Sequence, residues 1–310
     1  MTPSPLTTLH GIHPVLYAFF DREGRLDADA MQRQVDHCVV GGAHGLMVLG
    51  LITEFDKLDR GERLEVVRLV GEANGGRLPF AVTVAGTTRD DQRRFALQAR
   101  ELGADWIILQ PPADKPANET ELIRFFGQTA DALDCPVAIQ HNPFNLPVFL
   151  SIDGIASLHR QHPNFTVIKA EGTALETQEL IEATEGRLTV FGGHGGLELP
   201  SLIRAGANGL IPAPDCLQIQ RWVYDGLRSD NAVTVAAALE LHRQTLPMIV
   251  FMMRTMANAL CYGKRLIARR LGLAEVFDRE PVVVRPTPFG LAELDRFVAV
   301  LEDLASRHRA

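Results

Sequence analysis

The chain has 310 residues, 46% of them hydrophobic and 22% charged, which is the composition of a globular protein with one large domain or two small ones. A formal net charge of -7 argues against nucleic acid or an anionic membrane as partner, since both call for basic patches. No apolar run reaches the length of a membrane span, and the opening MTPSPLTTLHG lacks the basic and apolar regions of a secretory signal. Cys38, Cys135, Cys216 and Cys261 are scattered without metal-type spacing and read as buried free thiols, so a cytoplasmic enzyme is expected.

Residues 13–20 (HPVLYAFF) form the first predicted strand. After a turn, Asp27 caps a helix reaching Gly41, with Met31, Val35, Cys38 and Val39 on one face. The second strand is 44–50 (HGLMVLG), followed by a helix from Asp59 through Val70. A third strand at 79–86 (PFAVTVAG) precedes a helix over 88–103, and a fourth at 105–110 (DWIILQ) precedes one over 119–133. The fifth, 136–141 (PVAIQH), leads to a helix that begins at Ser151 or Asp153 and ends near Gln161. Residues 165–170 are the sixth strand, with a helix over 175–184 behind it. The seventh, 188–192 (LTVFG), opens into a glycine-rich loop around His194 and a short helix to Ala205. Residues 208–211 (NGLI) make the eighth. Past Cys216 the pattern is helical, over 218–227, 232–245, 249–259, 263–271 and 291–307, with an extended linker at 281–288.

The strands are continuous apolar runs, as parallel strands covered on both faces should be. Eight strand–helix units at even spacing over about 220 residues suit a (β/α)8 TIM barrel. An open doubly wound sheet would carry a glycine fingerprint after strand one, where Asp21-Arg22-Glu23-Gly24 is a plain turn. The expected architecture is therefore α/β: a (β/α)8 barrel core over 1–215, then the eighth barrel helix and a C-terminal helical extension of the same domain over 216–310.

In such a barrel the chemistry sits where strands end. Lysine is scarce, with Lys57, Lys115, Lys169 and Lys264 only, and Lys169 alone follows an apolar strand. A desolvated amine loses its proton more readily, and the neutral amine is a nucleophile, so Lys169 reads as a Schiff-base former. The plainer reading is a strand-end lysine paired with Glu171. Lys264 reads as a member of an Arg-rich helix, and Glu54 as a cap for the helix near Asp59. Other strand ends offer Gly50, Leu51, Ile52, Gln110, His141, Asn142, His194 and Ile211 as substrate contacts or catalysts. His141, Glu171 and His194 have the ligand types for a metal. A neighbouring Lys169 would repel the cation, so neither metal nor cofactor is expected.

These residues resemble the dihydrodipicolinate synthase / N-acetylneuraminate lyase superfamily of class I, Schiff-base aldolases and dehydratases, over about residues 10–300. The resemblance is carried by Gly50-x-x-x-Glu54, Pro111, Lys115-Pro116, Asn142, Ile168-Lys169 and Gly206-Ala207-Asn208-Gly209, in that order. It implies that Lys169 forms an imine with the 2-oxo group of a 2-oxo acid, and that the chain is a homo-oligomer, a tetramer or dimer. The family's paired hydroxyls after the strand-two glycine are replaced here by Leu51 and Ile52, whose backbone N–H groups remain for a carboxylate. Its two proton-relay tyrosines fall at His141 and near Ala113. Residues 142–149 also lack the arginine of lysine-biosynthetic members. Lys169-x-Glu171 with Gln140-His141 resembles instead the 2-keto-3-deoxy-sugar-acid dehydratases, especially those acting on L-2-keto-3-deoxyarabonate.

The expected reaction is dehydration of a 2-keto-3-deoxy sugar acid, with Lys169, Glu171 and His141 as catalytic residues. Period-2 geometry puts Glu171 on the side of the strand that Lys169 occupies, where it can move the C3 proton. The rival reading is a pyruvate-dependent aldolase, by retro-aldol cleavage or by condensation of the dihydrodipicolinate synthase kind, with His141 in the tyrosine's role. A non-catalytic ligand-binding barrel is the third.

Overall fold

The computed structural model describes residues 9–112 and 118–309. Eight strands lie parallel: β1 (Gly11–Ile12), β2 (Leu46–Val48), β3 (Phe80–Val84), β4 (Trp106–Leu109), β5 (Val137–His141), β6 (Phe165–Ala170), β7 (Thr189–Gly192) and β8 (Gly209–Leu210). Pairing runs continuously from β2 through β8 to β1. The ring closes between β1 and β2 through the Val15–Met47 bridge, with Leu16 N–H donating to Met47 O (2.8 Å) and Met47 N–H to Pro14 O (3.0 Å). The fold is a (β/α)8 TIM barrel with C-terminal helices.

Seven helices follow the first seven strands in turn: α1 (Ala28–Val40), α2 (Arg60–Asn74), α3 (Arg89–Glu101), α4 (Glu119–Ala130), α5 (Ile152–Gln161), α6 (Ala174–Ala183) and α7 (Leu199–Arg204). The first six start sharply because Asp27, Asp59, Thr88, Asn118, Ser151 and Thr173 each accept a first-turn N–H. Such a cap contributes ~1 kcal/mol. After β8 come α8 (Leu217–Leu227), α9 (Ala232–Met253), α10 (Met256–Asn258), a π-helical turn Ala259–Gly263, α11 (Lys264–Arg270) and α12 (Pro288–Arg309). No described helix is long and apolar enough to cross a membrane.

The barrel interior is packed. His13, Trp106 and Phe191 interlock, with the imidazole 4.9 Å from Phe191 and 6.0 Å from Trp106, edge to face. Gly45 is required there, because a Cβ would stand 2.2 Å from the His13 ring. Burial lowers the His13 pKa to about 3, so the ring packs uncharged. The four cysteines are free and buried.

Three predicted elements differ. The run 13–20 is mostly not ladder. Tyr17 N–H donates to Gln34 Oε1 (2.9 Å) and Gln34 Nε2 to Tyr17 O (3.0 Å), so a side chain from α1 takes the strand's bonds. Residues 232–245 and 249–259 are not two helices split at Pro247. A single α9 runs through the proline, because both halves bury a face, with Ala238, His242 and Thr245 before it and Met248, Ile249 and Met252 after it. Glu54 does not cap α2. Asp59, where the helix is expected to start, is the N-cap and makes a capping box with Glu62.

Tyr17, at the top of the barrel, joins this wall to the turn after β8. Its hydroxyl donates to Asp215 at 3.0 Å, and Arg270 Nη1 donates to the Asp215 backbone O at 3.1 Å. Burial raises the Asp215 carboxyl to about 7, against the opposing pulls of the Tyr17 hydroxyl and Arg270. Its unfolded value is near 3.8, so the folded state keeps a proton that the unfolded state has lost. Stability from this group is complete below about pH 4 and drains away as pH rises toward 7. Asp215→Asn still accepts from Tyr17 and cannot ionise. Its stability relative to the parent should rise by a few kcal/mol between pH 4.5 and pH 8 in urea denaturation. A difference that does not move with pH counts against this account.

Candidate active site

Lys169 and Glu171 stand two residues apart at the end of β6 and so project to one side, into the barrel mouth. Both are buried, at 3% and 8% exposure. Lys169 Nζ lies 3.3 Å from Glu171 Oε1. The other carboxylate oxygen, Oε2, accepts from Gln140 Nε2 (2.7 Å) and Asn142 Nδ2 (3.0 Å). Gln110 Nε2 in turn donates to Gln140 Oε1 (2.9 Å), and Gln92 Nε2 donates to the Gln110 backbone O (2.8 Å). With its carbonyl end taken, Gln140 must present its NH2 to Glu171. A buried charge without partners would cost several kcal/mol, and this relay of amides supplies them. It leaves Oε1 as the carboxylate oxygen facing the amine. Gly193, in the loop after β7, is needed for the same reason, since a Cβ there would come within 2.4 Å of Glu171 Cγ.

The turn after β2 frames the mouth. Gly50 precedes a 3-10 turn, Leu51–Thr53, whose leading N–H groups have no acceptor within the turn. Thr53 Oγ1 donates to Leu16 O (2.7 Å). Glu54 follows in a left-handed conformation (φ 57) with its carboxylate buried. That carboxylate is held by Lys57 Nζ at 2.6 Å and by Lys264 Nζ. Lys264, on α11, is wholly buried, and its ammonium also faces the Phe20 ring at 5.3 Å. Burial lowers its pKa, opposed by Glu54. The candidate carboxylate-binding turn is thus anchored by a residue 210 positions away in the chain.

The structure brings Lys169, Glu171, Gln110 and Asn142 together, with Gly50, Leu51 and Ile52 on the turn after β2. Ile211 is buried just past β8, its N–H bonded to Gly192 O at 2.9 Å. His194 stands in the loop after β7 with φ 51, its ring edge-on to Phe144 at 4.9 Å. His141 is turned the other way, contrary to the expectation that it flanks the imine. In register it pairs with Ala170, while Gln140 pairs with Lys169. Its ring meets Phe149 edge-on at 5.8 Å, on the side of α5 and α6. Only its backbone O reaches the cluster, accepting from Glu171 N–H at 2.7 Å. Ala113, Lys115 and Pro116 lie outside the described residues. Among the described residues no group of three or more His, Cys, Asp or Glu is placed to hold a metal.

Sequence reasoning left Gln140 off the site, and missed Gln92 and Lys264. The strand alternation that joins Lys169 to Glu171 also turns Gln140 inward and His141 outward, so one signal was present. For Lys264 the signal was helical spacing, since Cys261, Ile267 and Ala268 at i−3, i+3 and i+4 are all buried with it.

A closed parallel barrel with a buried lysine–carboxylate pair at the end of strand six defines a lyase of the class I aldolase type. The chain belongs to the dihydrodipicolinate synthetase family, whose sequence profile matches residues 8–285. It is 31% identical over 217 residues to the 4-hydroxy-tetrahydrodipicolinate synthase of Methanosphaerula palustris, covering 69% of this chain and 74% of that protein. In fold it matches the 4-hydroxy-tetrahydrodipicolinate synthase of Methylacidiphilum fumariolicum SolV with a TM-score of 0.87 at 19% identity, over 96% of this chain and 98% of that one. It also matches YagE from E. coli K12, a protein of the dihydrodipicolinic acid synthase family solved in complex with pyruvate. The TM-score is 0.82 at 22% identity, over 96% of this chain and 99% of that one.

Removing Lys264 strands a buried carboxylate, although Lys57 stays as a partner. Lys264→Ala should destabilise the protein by about 3 kcal/mol. Lys57→Ala, with its lysine 11% exposed, should cost less. Urea midpoints of the two variants check the order.

Proposed function

We propose that the protein is a Schiff-base dehydratase acting on a 2-keto-3-deoxy sugar acid, with Lys169 as the imine-forming residue and Glu171 as the base. The observation that carries this reading is the division of labour on Glu171. Oε2 is committed to two amides, and Oε1 is left 3.3 Å from the Lys169 amine. Glu171 first takes a proton from the amine, which then attacks C2 of the substrate. Glu171 returns that proton to the carbinolamine hydroxyl, which leaves as water and gives the iminium, an electron sink that acidifies C3–H. Oε1 accepts the C3 proton, and the electron pair moves into the enamine. The pair then expels the C4 hydroxyl, which leaves as water with the proton returned by Glu171. Hydrolysis of the imine frees Lys169 and a 2-oxo semialdehyde-type product.

The substrate carboxylate is assigned to the backbone N–H groups of Leu51 and Ile52, because neither side chain carries a hydroxyl. His194 and Ile211 are assigned to the distal end of the substrate. The pyruvate bound to YagE supports a 2-oxo acid as the kind of molecule held here. Likeness to the family extends the proposal to a homo-oligomer, a tetramer or dimer.

Aldol chemistry uses the same imine but needs a base for the C4 hydroxyl, a role that falls to tyrosine in the family. The three tyrosines are engaged elsewhere: Tyr17 with Asp215, Tyr224 with Asn208 O (3.0 Å) and Tyr262 with Thr287 (3.4 Å). That commitment favours dehydration over carbon–carbon cleavage.

Borohydride with pyruvate or a 2-keto-3-deoxy acid should add one reduced adduct to the intact mass, absent from Lys169→Ala. No adduct with any 2-oxo acid removes the imine. Glu171→Gln should still form the adduct, though more slowly, while turnover falls by about 10²–10⁴-fold. Unchanged turnover excludes Glu171 as the base. Among the products of the parent enzyme, a semialdehyde without free pyruvate is expected, and pyruvate with an aldehyde would establish the aldolase instead.

A further inference from the structure

Lys169 and the turn after β2 fix the direction in which a bound acid must lie. In the closed ring of eight strands, β2 and β6 stand opposite one another. An acid with its carboxylate on the Leu51–Thr53 turn and its C2 at Lys169 spans the mouth from β2 to β6. Carbons C4 and C5 then continue past β6, between the loops that follow β5 and β7. This orientation rests on the function proposed above.

Those two loops meet beyond Glu171. The Phe144 ring, in the loop after β5, stands edge-on to the His194 ring, in the loop after β7, with centroids 4.9 Å apart and planes at 60°. Asn142, two residues before Phe144, donates Nδ2 to Glu171 Oε2 at 3.0 Å. Gly193, next to His194, packs on Glu171 so closely that a Cβ would come within 2.4 Å of its Cγ. The contacts make a closed circuit, Glu171–Asn142–Phe144–His194–Gly193, that arches over the end of β6.

One side of the arch is fixed. His194 holds φ 51, a conformation that residues other than glycine keep only where the surroundings impose it. The surroundings are α8 and α9. Gln220 Nε2 donates to Gly195 O at 2.7 Å, and a Cβ on Gly195 would stand 2.7 Å from Met253 Cγ. The other loop is tied at its base. Asn142 Oδ1 accepts from both the N–H and Nδ2 of Asn145 at 3.1 Å, and Asn142 O accepts from Leu146 N–H at 2.9 Å. What is free to swing is the Phe144 side chain, which is 61% exposed. An edge-to-face pair favours contact only by roughly two- to tenfold, and exposed side chains change rotamer in nanoseconds, so the ring parts and returns readily.

We propose that Phe144 is a specificity-determining residue: docked on His194, its ring closes over C4 and C5 of a 2-oxo acid held at Lys169 and selects acids with a chain beyond C3. The ring offers an apolar face to the chain and no hydrogen-bonding group. Neither nitrogen of the His194 ring is bonded to a described residue, which leaves one for a hydroxyl at the end of the chain.

The test uses two probes that cannot be dehydrated, pyruvate with three carbons and 2-oxopentanoate with five. The readout is the concentration of each that gives half-maximal borohydride adduct by intact mass. Phe144→Ala should raise that concentration about fivefold for 2-oxopentanoate and leave it within about twofold for pyruvate, which ends at C3. Phe144→Tyr keeps the ring and should restore the wild-type value. His194→Ala removes the ring on which Phe144 docks, so the Phe144→Ala/His194→Ala double variant should be no worse than the poorer single variant. A general loosening of the loop would move both probes alike, and that result overturns the proposal. So does an unchanged 2-oxopentanoate value in Phe144→Ala, a double variant whose effect is the product of the two singles, or a wild type that takes pyruvate and not 2-oxopentanoate. A wild type that forms no adduct with either acid fails earlier, at the imine, and takes this inference with it.

Discussion

The site depends on holding and aiming one carboxylate that is buried at the barrel mouth. Glu171 is buried beside a buried amine, and attraction between two such charges does not by itself repay their desolvation. What makes the arrangement tenable is the row of carboxamides, Gln92, Gln110, Gln140 and Asn142, drawn from α3, β4, β5 and the loop beyond it. Gln92 holds the Gln110 backbone, Gln110 orients the Gln140 carboxamide, and Gln140 and Asn142 each bond the carboxylate. The carboxylate is therefore placed by residues from three other strand–helix units, and the Gly193 backbone closes against it from a fourth. The barrel serves here as a frame that converts strand register into the direction of one oxygen.

Much of the fold was legible because parallel strands buried on both faces are apolar without interruption, and because caps such as Asp27, Asp59 and Ser151 punctuate the helices. The errors fall where tertiary packing outvotes local signal. Pro247 is a helix breaker by propensity, yet Met248, Ile249 and Met252 are buried beyond it and hold α9 together. The first strand is shortened by Gln34, a residue whose reach onto the Tyr17 backbone no pattern in the chain announces.

At the site, Lys169 and Glu171 were legible from chemistry and period alone. His141 was not, because an imidazole at a strand end draws attention regardless of which face it occupies. Register settles the face: Gln140 lies beside Lys169 and His141 beside Ala170. Glu54 and Lys264 form a pair that sequence separates by 210 positions, so only the closed structure joins them. Long-range pairs of this kind leave no periodic trace, and their members read locally as a loop acid and a helix lysine.

That separation has a consequence for the order in which the protein becomes competent. A chain leaving the ribosome assembles from its N-terminal end. Seven strands and Lys169 emerge before residue 200, yet Glu54 in the turn after β2 lacks its second ammonium partner until α11 has been made and has docked. A nascent barrel thus carries its amine with Glu54 held by Lys57 alone. Completion of the last helices adds Lys264 to that turn, and the C-terminal extension acts as the clasp on a cup already thrown.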